Sequence, residues 1–267
     1  MRVVVTGGAG FIGSHLCDAL LRDGHEVVAL DNLDDFYDPS VKRANLRGAR
    51  ANAGFTLVEG DIRDAAVVDR LLTSGGVDAI VHLAARAGVR PSIENPLLYE
   101  DVNVRGTLVL LEAARRHDVG KFVFASSSSV YGNSRKVPFS ESDRVDDPIS
   151  PYAATKKAGE LITHTYHHLY GLNVTCLRFF TVYGPRQRPD LAIHKFARLI
   201  DAGDAIPVFG DGATMRDYTY IDDIIAGVSA SIERCRGYHI YNLGESRPVT
   251  LRRLIECLEA ALDRRAT

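Results

Sequence analysis

The 267-residue chain has no tryptophan, two methionines, and aromatic side chains at only 8% of its positions. Its four cysteines, Cys17, Cys176, Cys235 and Cys257, stand far apart and form no CxxC or CxxH spacing. That argues against a zinc site and a disulfide framework, and it fits a reduced, cytoplasmic setting. No metal is expected either: His164 and His168 are four apart, but no Glu follows His164 and no third ligand is evident. There is no stretch of about 18 apolar residues, and Met1 leads straight into a strand-like run without a basic leader. A secretory or membrane-spanning segment is therefore not expected. Neither sign of charge dominates, with 32 Lys and Arg against 34 Asp and Glu. The even balance argues against nucleic acid or a membrane as partner and leaves a small anionic ligand open.

What is present is periodicity. Short β-branched runs, Arg2 to Thr6, Glu26 to Leu30, Thr56 to Glu59, Ala79 to Leu83, Lys121 to Ser126 and Asn173 to Phe179, are each followed by a longer amphipathic segment. Runs such as VVVT and AIVHLA are apolar on both faces, as a parallel sheet covered by helices on each side requires. The pattern predicts an α/β, doubly wound parallel sheet over residues 1–182. Residues 183–267 are richer in Gly and Pro, with helical patterns at Ile193 to Ala202, Ile221 to Arg234 and Leu251 to Arg264. They are predicted to form a smaller C-terminal substrate-binding cap, with parts of the chain crossing between the two regions. The chain stops within a helical pattern, which leaves open a further piece beyond Thr267 that completes the substrate site.

Directly after the first strand comes GGAGFIG, with Gly7, Gly10 and Gly13 leading through Phe11 and Ile12 into a helix. Glycines let the backbone turn tightly and approach a pyrophosphate, while the free N–H groups of the following helix attract the anion. Asp31 ends the second strand, 18 residues beyond Gly13, where a carboxylate accepts hydrogen bonds from an adenosine ribose and repels a 2′-phosphate. Strand, glycines, helix and acid together specify a Rossmann dinucleotide site, with NAD favoured over NADP. Asn32 adjoins the ribose acid, Asp61 and Ile62 flank the adenine, and in the turn after Leu83 the residues Ala84 and Ala85 are small enough to let the nicotinamide half pass.

The segment SPYAATK places Tyr152 and Lys156 four apart, on one helix face. A free phenol titrates near pH 10, about 3 units too high for a base at neutrality, but a lysine ammonium and an oxidised nicotinamide beside it favour phenolate. Tyr152 then takes a hydroxyl proton as hydride leaves carbon. The run Ser126 to Ser129 follows the strand KFVFA, at the carboxyl edge of the sheet where such folds bind ligands. Hydroxyls there, on Ser127, Ser128 and Ser129, can orient a sugar oxygen. His82, in a strand, is read as a hydrogen-bonded core residue, and the acidic stretch Asp31 to Asp38 as partly the ribose site and otherwise a solvated loop.

The segments TGGAGFIG, LDNL, GDIRD, VHLAA, NVRGT, SSSSVYG, SPYAATK, RFFTVYGP and RDYTYIDD give the chain a resemblance, over essentially its whole length, to the extended short-chain dehydrogenase/reductase family of nucleotide-sugar epimerases and dehydratases. The resemblance implies that Ser127 holds the catalytic serine or threonine position, that Tyr152 is the base, and that Lys156 serves both the tyrosine and the nicotinamide ribose. It also implies a homodimer built on the Tyr152 helix and the helix from Leu98 to His117. The dehydratases and decarboxylases of this family carry acidic residues where Ser128 and Ser129 stand, so epimerisation is the route that survives.

Segments 31–39, 84–90 and 185–190 are similar to those of UDP-glucuronate 4-epimerases, which implies a UDP-sugar substrate, UDP-glucuronate or UDP-galacturonate. A uronate needs cationic or hydroxyl partners, and Arg188, Thr181 and Arg86 are the candidates in that order. Arg216 matches the family arginine that grips a phosphate, and Phe209 is placed beside the uracil. A UDP-glucose or UDP-N-acetylglucosamine 4-epimerase is the alternative among enzymes. A non-catalytic dinucleotide-sensing regulator is the alternative from another class, and it has no need of Tyr152, Lys156 and the serine run together.

Overall fold

A computed structural model describes residues 1–73, 75–208 and 210–267. The strands are β1 (Arg2–Thr6), β2 (Glu26–Asp31), β3 (Phe55–Glu59), β4 (Ala79–His82), β5 (Lys121–Ser127), β6 (Asn173–Phe179), β7 (Thr181–Tyr183), β8 (Met215–Tyr220), β9 (Tyr238–Leu243) and β10 (Pro248–Thr250). The helices are α1 (Phe11–Arg22), α2 (Pro39–Asn45), α3 (Arg47–Arg50), α4 (Ala65–Thr73), α5 (Val89–Glu94), α6 (Pro96–Glu100), α7 (Gly106–Arg116), α8 (Pro151–Tyr170), α9 (Ala192–Ala202), α10 (Ile221–Glu233) and α11 (Leu251–Leu262). A π-helical turn, Asp101–Arg105, joins α6 to α7.

Seven strands form one parallel sheet in the order β3-β2-β1-β4-β5-β6-β9. Both faces are covered, as the uniformly apolar strands require: Val3 and Val5 of β1 face one core with α1 and α10, while Val4 faces the other with α4 and α7. The strand order reverses between β1 and β4, which opens a crevice at their carboxyl ends. The three-stranded sheet β10-β8-β7 lies in the later part of the chain. From that part, β9 crosses back to become the seventh strand and α10 packs on α1. The apolar alternation of residues 238–243 is too weak to announce a central-sheet strand, and its pairing with β6 is a non-local choice. Among the described residues no helix is long and apolar enough to cross a membrane.

Helix α8 has a well-marked start and stop. The Ser150 hydroxyl accepts the Ala153 N–H, Pro151 occupies the first turn, and Gly171 ends the helix in the left-handed region. The helix docks closely on β5, since a Cβ at Gly159 would lie 2.2 Å from Cζ of Phe124. Beside that contact Arg178 of β6 makes a two-pronged pair with Glu160, Nε to Oε1 at 2.8 Å and Nη2 to Oε2 at 2.9 Å. Both side chains are only 1% exposed. Ser126 donates to Glu160 Oε1 at 2.7 Å, and Arg178 Nη1 donates to the Tyr131 hydroxyl oxygen at 2.9 Å.

Removing one member of such a pair strands the other charge in the interior, at a cost of about 3–5 kcal/mol, whereas replacing both with apolar groups can be nearly neutral. Arg178→Met is therefore expected to lower the urea midpoint by that amount of stability. Glu160→Leu with Arg178→Met should recover most of it; a single variant as stable as wild type would contradict the assignment.

Candidate active site

One cavity of about 1270 Å³ occupies the crevice. Around it the structure gathers the glycine turn, Phe11 and Ile12, Asp31 and Asn32, Asp61 and Ile62, the segment Leu83 to Arg86, Ser127 to Ser129, Tyr152, Lys156, Thr181, Arg188 and Arg216. Phe209 lies outside the described residues.

The glycine turn shows why side chains are excluded there. A Cβ at Gly13 would sit 2.1 Å from the Gly7 carbonyl oxygen, and one at Gly7 would sit 2.8 Å from the Ala84 nitrogen. Gly7 itself has φ of 69°, a conformation glycine adopts without strain. Gly10 precedes helix α1 and offers no side-chain cap, so the donors of the helix's first turn face the cavity uncapped. Asp31 is buried, and its two oxygens accept N–H groups from Ala9 at 3.0 Å and Leu33 at 2.9 Å. Each carboxylate oxygen has a further lone pair. An uncapped helix start, a backbone cradle that a Cβ would fill and an acid on the next strand fit the pyrophosphate and adenosine ribose of a dinucleotide. Asp61 accepts from Asn32 and Arg63, and the Arg63 contact holds its carboxyl down at about 2, so it is a fixed anion under the Asn32 amide.

At the other end, Tyr152 and Ser127 line the same cavity, with Ser127 near enough to lower the phenol, and Ser127 accepts from the Ser129 hydroxyl at 2.9 Å and its N–H at 3.2 Å. The three hydroxyl-bearing side chains face one cavity. Burial pushes the Tyr152 phenol up, against the lowering effects of Ser127 and the Arg188 charge. The expected acidifying partner, Lys156, is turned elsewhere. Its ammonium donates to the Ala125 carbonyl at 2.6 Å and stands 6.0 Å from the Tyr152 ring centre, and burial brings its own value down to about 8.

Asn103 carried no assigned role in the sequence. It sits in the π-helical turn, 3% exposed; its amide oxygen accepts the Arg86 N–H at 2.8 Å while its amide nitrogen donates to the Arg86 carbonyl at 3.0 Å and to Thr155 Oγ1 at 3.0 Å. Asn103 thus ties the loop after β4 to the helix that carries Tyr152. The signal for it was a polar residue in NVRGT, just before Gly106, where a Cβ would meet Ile62 at 2.5 Å. His82 is buried between Thr6 and Thr107 hydroxyls at 2.8 and 3.0 Å, and burial holds it neutral, at about 3. His164 packs edge-on against Tyr238.

The substrate candidates differ in their surroundings. Arg86 pairs with Asp34 at 2.7 Å and Arg188 with Asp190 at 2.7 Å, and neither side chain is more than 18% exposed. The stretch after Asp31 is therefore not merely a solvated loop: Asp34 holds Arg86, and Phe36 lies against both guanidiniums. Thr181 begins β7, and Arg216 donates to the Met215 carbonyl at 2.7 Å with no ion pair among the described residues. The acids lining the cavity among the described residues are Asp31, Asp34, Asp61 and Asp217, while positions 128 and 129 carry hydroxyls.

Comparison with known proteins agrees with this arrangement. Residues 3–244 match the NAD dependent epimerase/dehydratase family. A UDP-glucuronate 4-epimerase of Thermodesulfobacterium geofontis is 45% identical over 98% of this chain and 81% of its own length. The crystal structure of UDP-glucuronic acid 4-epimerase from Bacillus cereus, in complex with UDP-glucuronic acid and NAD, superposes with a TM-score of 0.94 at 38% identity, covering 100% of this chain and 85% of that one. A dTDP-glucose 4,6-dehydratase from Streptomyces venezuelae with NAD bound reaches 0.92 at 38% identity, covering 99% and 82%. The backbone is thus common to enzymes of different chemistry, and the chain belongs to the NAD dependent epimerase/dehydratase family.

Proposed function

We propose that the protein is an NAD-dependent UDP-glucuronate 4-epimerase, interconverting UDP-glucuronate and UDP-galacturonate through a transient 4-keto sugar. The observation that carries this reading is that Arg188 and Thr181 line the same cavity as Tyr152 and Ser127, with the guanidinium charge acting to lower the phenol. In a uronate the carboxyl carbon is attached next to the reacting carbon 4, so a carboxylate receptor has to stand beside the base. The T. geofontis and B. cereus relatives support the same substrate by their names.

Bound NAD supplies the hydride acceptor and donor, and its oxidised ring a positive charge that favours phenolate. Tyr152 removes the proton from the sugar 4-hydroxyl, with Ser127 and Ser129 orienting that oxygen, and returns it after the keto sugar has turned. Lys156, on the same helix face as Tyr152 and held by the Ala125 carbonyl, is the residue for the nicotinamide ribose. Asp31 and the uncapped start of α1 hold the adenosine end and pyrophosphate, and Arg216 the substrate diphosphate. Dehydration and decarboxylation both want a proton donor at Ser128 or Ser129, and none is there.

The 4-keto sugar is a β-keto acid, which loses carbon dioxide when its carboxylate bond aligns with the carbonyl π system. Arg188 and Thr181 clamp the carboxylate out of that alignment and keep it charged. The bodies doing this work are the 1–182 sheet region, joined by β9 and α10 from later in the chain, and a cap made from the rest of 183–267. The leucines Leu97, Leu161 and Leu169, each more than half exposed on α6 and α8, support a homodimer through these helices. Sedimentation equilibrium should return twice the chain mass; a monomer at micromolar concentration would rule the dimer out. The well-spaced cysteines, free in the structure, support a cytoplasmic setting.

Tyr152→Phe is expected to reduce kcat about 10²–10⁴-fold in an assay that follows UDP-galacturonate by NMR. Turnover near the wild-type rate, or a wild type that converts UDP-glucose and not UDP-glucuronate, would overturn the assignment. Arg188→Ala should raise KM for UDP-glucuronate and divert product to UDP-pentose. A variant matching wild type in both respects would remove the clamp from the mechanism.

A further inference from the structure

Two guanidiniums sit over the Phe36 ring. The Arg86 Cζ is 5.5 Å from its ring centre and the Arg188 Cζ 5.2 Å. Each guanidinium has a carboxylate of its own: Arg86 Nη2 donates to Asp34 at 2.7 Å, while Arg188 donates from Nε to Asp190 Oδ1 at 3.0 Å and from Nη2 to Oδ2 at 2.7 Å. The loop that carries the ring is pinned as well. Asp34 Oδ1 accepts the Phe36 N–H at 2.9 Å, and the buried Lys42 ammonium donates to the Asp34 carbonyl at 2.7 Å.

The geometry at Arg188 is selective. Asp190 takes the Nε/Nη2 edge and the Cζ sits over the Phe36 ring, so the Nη1/Nη2 edge is left without an acceptor among the described residues, in a side chain that lines the cavity. That charge is felt by Tyr152, Tyr99 and Tyr37. A guanidinium offers its donors in a rigid plane, so fixing one edge and one face fixes the direction of the remaining edge. A carboxylate arriving there leaves the Asp190 pair intact.

Resting on the epimerase reading above, we propose that Asp190 and Phe36 are positioning residues that set the plane of Arg188 and, through it, how the sugar carboxylate is received. Neither touches the reacting atoms. Their effect falls on the orientation of the carboxylate, where a displacement of about 1 Å can cost on the order of 10²-fold in rate. Phe36 is 36% exposed and the Asp190 side chain 42%, so neither belongs to the core and Asp190→Ala and Phe36→Leu leave the core packing in place.

The test compares wild-type holoenzyme with Asp190→Ala and Phe36→Leu. It measures kcat and KM for UDP-glucuronate, the ratio of UDP-pentose to UDP-galacturonate by NMR, and affinity for UDP by calorimetry. Asp190→Ala is expected to lower kcat/KM about tenfold and raise the pentose share. Phe36→Leu should shift both the same way by about threefold, the size of one exposed cation–π contact. UDP, which has no sugar carboxylate, should bind all three proteins equally. A lower KM in Asp190→Ala would make Asp190 a competitor of the substrate and overturn the proposal. An unchanged product ratio and KM, or a parallel loss of UDP affinity, would overturn it too. Failure of the epimerase reading has a separate signature, a wild type that does not convert UDP-glucuronate.

Discussion

The contact between α8 and the strands beneath it determines the catalytic geometry. Gly159 lets the helix approach until Phe124 fills the space a side chain would need, and the buried Glu160–Arg178 pair locks the helix to β6 at one height. Ser126 joins that pair from β5, so the next residue, Ser127, is delivered to the cavity in reach of Tyr152. A charged pair in the interior is a weak source of net stability, but it tolerates few other registers because any slip leaves a charge unpaired. The pair therefore serves geometry more than energy, and Tyr152 and Lys156 inherit their positions from it.

The same burial creates the electrostatic tension of the site. Tyr152 is pushed up and Lys156 down, each disfavoured in the charged form that proton transfer needs. The chain's own cations answer only in part: Arg188 lowers the phenol, while Lys156 is engaged with the Ala125 carbonyl. A positively charged ring in the crevice would complete the balance, which couples proton abstraction to the oxidised state of the dinucleotide. Proton and hydride then move together for a physical reason.

The close superposition on a 4,6-dehydratase as well as a 4-epimerase shows that the backbone leaves the chemistry open. The choice rests on a few side chains at the sugar end. Hydroxyls stand at Ser128 and Ser129, and two arginines, each paired with a carboxylate and set against the Phe36 ring, line the same cavity. The site is poor in proton donors and rich in oriented cations, a combination that suits a charged sugar which has to keep all its atoms.

Much of this was determined by the sequence alone, because the signals involved are local. The six strands from Arg2 to Phe179 follow from short β-branched runs, the glycine turn from a backbone that tolerates no Cβ, and the Tyr152–Lys156 face from helical spacing. Tertiary structure decided the rest. The pairing of β9 with β6 joins residues some 60 apart, and nothing in YHIYNL favours the central sheet over the cap. Asn103 gains its role only when a π-helical turn brings it between Arg86 and Thr155. Phe36, read in sequence as part of an acidic loop, meets Arg86 and Arg188 only through folding, since 50 and 152 residues separate it from them. Periodicity reports which face a residue occupies; which distant charges share that face is settled when the loops close over the crevice.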